Sequence, residues 1–253
     1  MKTSVQWIDY FKENLQVKRI DWRQAPRISP EEIRVVLKSL QAWQLGETSD
    51  GKHLLQASRK YADKTGDAFY VQAVELFIKE EQKHGHNLGR YLDLIDKPRI
   101  KKNWGDSLFR KIRYYNSSME WWTLAVITVE SAAQIFYQSL KDATQCPLLK
   151  QIATDILADE AQHICFQTER LFIIFQSKTA AGRNFAYRFY RFFFLATSLV
   201  VWMAHRKLFK AGGNNFSRYF SKMKLKSSKT VGRLKTELSE NYVSANLKSI
   251  FQN

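Results

Sequence analysis

Residues 80–84 read Glu80-Glu81-Gln82-Lys83-His84, and residues 159–163 read Asp159-Glu160-Ala161-Gln162-His163. Each is an acid followed by Glu-x-x-His, and each has a lone glutamate upstream: Glu47 before the first copy, Glu130 before the second. On a helix, a glutamate at i and a histidine at i+3 share one face. Two such helices opposite two further glutamate-bearing helices present four carboxylates and two imidazoles to a common interior. The spacings agree, with 34 residues from Glu47 to Glu81 and 30 from Glu130 to Glu160, each about a helix, a turn and part of the next.

Counting outward supports the helical reading. Ile33, Leu40, Glu47, Leu54 and Tyr61 recur every seven residues. Tyr70, Val74, Phe77, Glu81, His84, Leu88 and Tyr91 alternate steps of four and three. Met119, Thr123, Val126, Glu130, Ala133, Tyr137 and Leu140 do the same. Leu149, Ala153, Ile156, Glu160, His163 and Gln167 continue the pattern. Every candidate ligand therefore lies in the stripe that a bundle helix turns to its core.

Four carboxylates in an apolar interior are untenable without counter-charge, because unpaired buried charge is very costly. Two divalent cations cancel all four. A single Glu-x-x-His is usually a solvated helix face; two copies, each with an in-phase glutamate, point to a dinuclear site. Mixed carboxylate–imidazole donors with open positions suit two iron ions, and manganese or a mixed Mn/Fe pair is also compatible. A metal-bound imidazole usually gives its other N–H to a carboxylate. Asp159 is placed to serve His84, and Glu80 to serve His163, the alternative being two exposed helix residues.

The 253 residues exceed one four-helix bundle, which residues 30–175 fill. Residues 1–29 read as a short amphipathic helix (Trp7, Tyr10, Phe11, Leu15) and a loop, and 176–253 as a C-terminal extension. Ser29-Pro30-Glu31-Glu32 supplies an N-cap, a proline at the first helical position and two acids in the first turn. Gly46 and Asp50-Gly51 interrupt the first helical pattern beside Glu47; a widened helix spacing, a kink and a break are all compatible with them. Residues 96–118 form the longer connection between the two helix pairs. Ten glycines, four prolines and long periodic runs predict an all-α fold.

Cys146 and Cys165 make no disulfide framework, and there is no Cys-x-x-Cys pair. There is also no Gly-x-Gly-x-x-Gly, so an external electron donor is expected. The N-terminal residues carry no signal-peptide apolar run, which predicts a cytoplasmic setting.

The formal charge of +16 is uneven. Residues 1–169 carry 24 Lys/Arg against 22 Asp/Glu, whereas 170–236 carry 15 Lys/Arg and no acid. Within that stretch, Phe185 to Arg191 leads into an apolar run from Phe192 to Ala204, followed by His205-Arg206-Lys207. The run is short of the roughly 20 residues that cross a bilayer. A transmembrane span, a helix packed against the bundle and a helix lying in a membrane interface are the three readings of the run, and a solvated tail is the further reading of the basic residues. Lys222, Lys224, Lys226 and Lys229 add to a field that attracts an anionic partner for 170–236: a lipid surface, an acidic carrier protein or RNA. No RNA-binding module is recognisable.

Glu80-Glu81-Gln82-Lys83-His84-Gly85, followed by Leu88 and Tyr91-Leu92, resembles the Glu-Glu-x-x-His-Gly helix of soluble acyl-carrier-protein desaturases. Asp159-Glu160-Ala161-Gln162-His163 resembles their second motif. The resemblance covers residues 30–175 and identifies the chain as similar to the ferritin-like di-iron carboxylate superfamily. It implies a ferritin-like four-helix bundle with a long crossover and a ligand set of Glu47, Glu81, His84, Glu130, Glu160 and His163, with Glu81 and Glu160 suited to bridge. Two departures stand out. Those desaturases are longer, and where several oxygen-activating relatives have a threonine one turn after the third glutamate, this chain has Ala133 and Gln134. Tyr137 reads as core packing rather than a redox tyrosine, His86 as solvated, and His53 and His205 have no site-like neighbours in sequence.

The resulting expectation is a dinuclear iron oxidase or oxygenase using dioxygen to hydroxylate, desaturate or otherwise oxidise a lipid-like or acyl substrate. It is cytoplasmic, peripheral to a membrane if the tail binds lipid, and compatible with a homo-oligomer. The alternatives are a ferroxidase or iron-handling protein, an RNA-modifying hydroxylase, and a non-enzymatic partner-binding bundle.

Overall fold

A computed structural model describes residues 1–114 and 118–250, with side chains placed outside 113–117 and 236–253. The helices are α1 (Ser4–Gln16), α2 (Pro30–Glu47), α3 (Lys52–Thr65), α4 (Phe69–Leu94), α5 (Trp104–Tyr114), α6 (Met119–Asp142), α7 (Pro147–Gln176), α8 (Ala180–Ala211) and α9 (Phe216–Ile250). Among the described residues there is no strand. The all-α prediction holds.

Local chemistry sets the starts. Ser29 Oγ accepts from the Glu32 N–H while Glu32 accepts from the Ser29 N–H, a reciprocal cap with Pro30 at the first helical position. The interruption beside Glu47 is a break: α2 ends on Glu47 and α3 starts at Lys52. Gly51 stands at φ 67°, and a Cβ there would lie 2.5 Å from Ile78 Cδ1. A left-handed turn against α4 thus needs glycine.

Helices α2 and α4 pack as one pair and α6 and α7 as the other. The connection between the pairs contains α5; its residues 115–117 lie outside those described. Along α4, Tyr70 to Ile78 belong to one apolar cluster with α1 and α3, and Leu88 to Leu92 to a second with α2, α6, α7, α8 and α9. Glu80, Glu81 and His84 lie between the two. The ligand level is a polar layer sandwiched by apolar ones.

The two terminal segments are not loose additions. Trp7 and Phe11 of α1 are buried, and Trp7 Nε1 donates to Glu169 Oε2 at 2.8 Å. Tyr190, Phe194, Leu208, Tyr219, Met223 and Leu234 of α8 and α9 are buried in the larger cluster. Among the described residues, only α8 is long and apolar enough by length and composition to cross a membrane. One of its faces is packed, however, with Phe193, Phe194, Ser198 and Trp202 buried. The final part of the basic tail, 236–253, lies outside the described side chains.

Candidate metal centre

Four helices bring the six sequence-predicted residues together. Glu47 is the last residue of α2, Glu81 and His84 come from α4, Glu130 from α6, and Glu160 and His163 from α7. Ligand-type atoms of Glu81, Glu130, Glu160 and His163 lie within 4.8 Å of one another, as do those of Glu47, His84 and Glu160. Glu160 is common to both groups. Glu81 is partly exposed and belongs to the first group only.

The two imidazoles are held from behind. His84 Nε2 lies 3.0 Å from Asp159 Oδ2, and His163 Nε2 lies 2.8 Å from Glu80 Oε2. Each carboxylate thus comes from the opposite Glu-x-x-His helix. A carboxylate accepts, so each Nε2 carries a proton, and each Nδ1 is turned inward toward Glu81. Asn14 Nδ2 of α1 donates to Glu80 Oε1 and, at 2.8 Å, to Asp159 Oδ1, tying the two supports together. Arg19 Nη1 donates to Asp155 and Asp159 at 2.9 Å each, and Lys83 Nζ reaches Asp159 at 3.3 Å. Helical phase flagged neither Asn14 nor Arg19, because both reach the centre from outside the bundle pattern.

Whether a metal pair fits can be judged from the atoms left without partners. Glu81 Oε1, His84 Nδ1, both oxygens of Glu160 and His163 Nδ1 are buried without a hydrogen bond. These five atoms belong to four of the six candidates and face one another. Buried polar atoms are rarely orphaned, and atoms of this chemistry are nitrogen and oxygen donors for a transition ion. His163 Nδ1 also approaches Glu81 Oε1 to 2.8 Å.

Electrostatics make the same demand. Burial, then the Glu81 charge, pushes Glu47 up to about 8. Burial raises Glu130, and burial with the Glu130 charge carries Glu160 well above its usual range. Burial opposes a charge on His163, yet Glu81, Glu160 and Glu80 outweigh it and hold its pKa high. Asp159 stays low because its contacts with His84, Asn14 and Lys83 overcome burial. Glu47, Glu130 and Glu160 are thus pushed toward their protonated forms, which bound cations would displace.

Tyr137 is buried, as core packing requires, and its Oη also donates to Glu47 Oε1 at 2.8 Å. Gln134, in place of the threonine of the resembling family, accepts from Lys226 Nζ of α9. His86 is exposed.

A cavity of about 310 Å³ reaches Glu47, Glu81 and Glu130. Trp43, Phe77, Ile78, Trp122, Val126 and Val200 give it apolar walls. His53 and His205, which lacked site-like neighbours in sequence, both line it. His205 sits at a kink in α8 (φ −122°, ψ 16°), with Nδ1 3.1 Å from Ser39 Oγ and its ring against Trp43 and Phe136. Burial lowers its pKa from 6.5 to about 4. The unfolded chain thus takes up this proton first as pH falls, and stability drops through the window from 6.5 to 4. The full loss is roughly 3 kcal/mol. Comparing thermal unfolding of wild type and His205→Phe across that window should show the variant losing less stability on acidification. Parallel pH curves would mean that the imidazole titrates as freely in the fold as in the unfolded chain.

No protein-family model and no curated protein matches the sequence. Solved structures do. A variant of an R2-like ligand-binding oxidase with an anaerobically reconstituted Mn/Fe cofactor superposes with a TM-score of 0.64 at 17% identity, covering 93% of each chain. Another variant of such an oxidase, aerobically reconstituted with Mn/Fe, gives 0.61 at 18%, again over 93% of each chain. A long-soaked, aerobically reconstituted form gives 0.60 at 17%, covering 92% of this chain and 91% of that one. This chain therefore shares the helical fold of these R2-like ligand-binding oxidases over nearly its whole length.

Proposed function

We propose that this chain is a dinuclear-metal oxidase that uses dioxygen to oxidise an apolar, lipid-like or acyl substrate. Its metals in this reading are two iron ions or an Mn/Fe pair, held by Glu47, Glu81, His84, Glu130, Glu160 and His163. The observation that carries the reading is the apolar cavity ending on Glu47, Glu81 and Glu130, beside buried donor atoms without a hydrogen bond. Iron storage needs no such cavity. The structural neighbours, named as ligand-binding oxidases with Mn/Fe cofactors, support the same reading by analogy of fold.

Each part of the site has a task in it. The bound metals supply redox chemistry toward dioxygen. Asp159 and Glu80 orient His84 and His163 and raise their basicity. The apolar walls align an aliphatic chain and exclude water from the reacting end. Tyr137, donating to Glu47, holds a proton at one edge of the metal-facing layer. Electrons come from an external donor, because the sequence carries no flavin, nicotinamide or Cys-x-x-Cys module.

The test begins with protein loaded with ferrous iron, alone and with manganese. Metal per chain is measured, and oxygen consumption is followed with reductant, with and without extracted lipids. Near-stoichiometric metal and lipid-dependent oxygen uptake are expected. Mineral cores of many iron atoms per chain would instead assign the protein to iron handling.

A further inference from the structure

Helix α8 buries one face and leaves another uncovered. Phe185, Phe189, Phe192, Ala196, Leu199 and Met203, spaced four, three, four, three and four residues apart, are all exposed. Phe185 and Phe192 are 74% and 72% exposed, more than most surface aromatics retain. The stripe spans 19 residues, about 27 Å of helix. On α5, Trp104 and Leu108, one turn apart, are exposed as well. A continuous apolar surface of this kind marks an interaction site.

The stripe is continuous with the cavity. Ala196 belongs both to the exposed stripe and to the cavity lining, and exposed Leu108 lines the cavity from α5. Phe109 and Ile112 of α5 stand with Phe193, Thr197 and Val200 of α8 along the same walls. The cavity thus meets the surface along the α5–α8 edge, where both outer faces are apolar, as well as at the α2–α3 turn, where exposed Asp50, Lys52 and His53 line it.

Charge identifies the occupant. Arg188 flanks one end of the stripe, and Arg206, Lys207 and Lys210 flank the other, all exposed and none in an ion pair among the described residues. Lys101, Lys102 and Lys111 are exposed around α5. Asp106 on α5 is already paired with Arg110 at 2.8 Å, so it does not offset this field. A second copy docked along the stripe would set cations against cations in either orientation. A nucleic-acid duplex or a uniformly acidic protein face would answer the charge but leave a row of aromatic side chains in water. A surface with anionic head groups over an apolar interior answers both.

We propose that the α8 stripe and the α5 edge form a docking surface for an anionic lipid bilayer. The phenylalanines and Trp104 enter the head-group boundary, the flanking cations meet the lipid phosphates, and the α5–α8 edge of the cavity faces the membrane. The protein lies on the bilayer rather than spanning it, since the opposite face of α8 is packed against the bundle. This surface stands on exposure, charge and cavity position alone, and only the identity of what enters the cavity rests on the oxidase reading.

Full-length protein is co-sedimented with vesicles of phosphatidylcholine alone or mixed in equal parts with phosphatidylglycerol. Wild type is expected to pellet with the anionic vesicles, and less so as salt is raised. Phe185→Ser/Phe192→Ser should weaken binding roughly tenfold or more, and Arg188→Glu/Arg206→Glu should weaken it selectively on anionic vesicles. All four positions are exposed, so unchanged thermal unfolding certifies that the variants fold. The proposal is overturned if wild type stays in the supernatant with both vesicles, or if the double serine variant binds as wild type does. It is overturned equally if wild type is a dimer that the serine variant converts to a monomer and neither binds vesicles. None of these readouts involves metal, so their failure leaves the oxidase reading untouched.

Discussion

Replacing Glu160 with alanine is expected to lower bound metal from about two ions per chain to below one and to abolish lipid-dependent oxygen uptake. Glu160 is common to both groups of donor atoms, and both of its oxygens are buried without a hydrogen bond. Its loss therefore weakens both positions at once, whereas loss of Glu47 or His84 strips only the second group. The reverse holds for stability of the metal-free protein. Burial and the Glu130 charge make Glu160 costly to ionise, so without metal the alanine variant should unfold at the same temperature as wild type or higher. Asp159→Asn is the graded companion. It keeps the ligands but replaces the carboxylate that accepts from His84, and second-layer changes of this kind cost about 10- to 100-fold in metal affinity. Elemental analysis after dialysis against a weak chelator reads both. Full metal content in Glu160→Ala would remove Glu160 from the centre.

The second large effect is expected from Gly85, the residue after His84. A Cβ there would lie 2.9 Å from Thr48 Cγ2, 3.1 Å from the Glu47 carbonyl carbon and 3.2 Å from Glu47 Cβ. The glycine lets α4 approach the end of α2 closely enough for Glu47 to reach the layer of His84. Alanine meets the methyl of exposed Thr48 and, slightly farther off, the Glu47 backbone, so Gly85→Ala should cost about 1 kcal/mol. Valine adds branches toward the α2 backbone, and about 3 kcal/mol is expected. More diagnostic than the stability loss is its company: Gly85→Val should lose metal affinity along with stability, because the displaced segment carries Glu47. Denaturant unfolding with and without metal separates the two. If the valine variant is destabilised equally in both forms, the close approach serves packing alone.

Part of this was legible before any coordinates. The four helices bearing Glu47, Glu81, Glu130 and Glu160 follow from apolar steps of three and four, because side-chain direction along a helix is a local property. The cross-pairing of Asp159 with His84 and Glu80 with His163 follows from the same geometry, since an acid just before a ligand faces the neighbouring motif. The break after Glu47 was obscured for a related reason. The four residues from Thr48 to Asp50-Gly51 amount to about one helical turn, so Leu54 and Tyr61 stay in phase with Leu40 although they belong to another helix. His205 illustrates the opposite limit: nothing near it in sequence is polar machinery, and its partners Ser39, Trp43 and Phe136 are brought by α2 and α6.

Residue order alone determined that this is a helical protein whose glutamates and histidines share interior stripes, and that its positive charge is concentrated in one segment. Both are properties of a single chain segment, set by a 3.6-residue repeat and by composition. The tertiary structure alone decided that Asn14 joins the two supporting carboxylates, that Tyr137 donates to Glu47, and that an apolar cavity runs to the carboxylates past His205. It also decided which side of α8 is left facing outward. Each of these depends on the distance between helices far apart in sequence, and such distances are set by how whole helix faces pack rather than by any one helix's pattern.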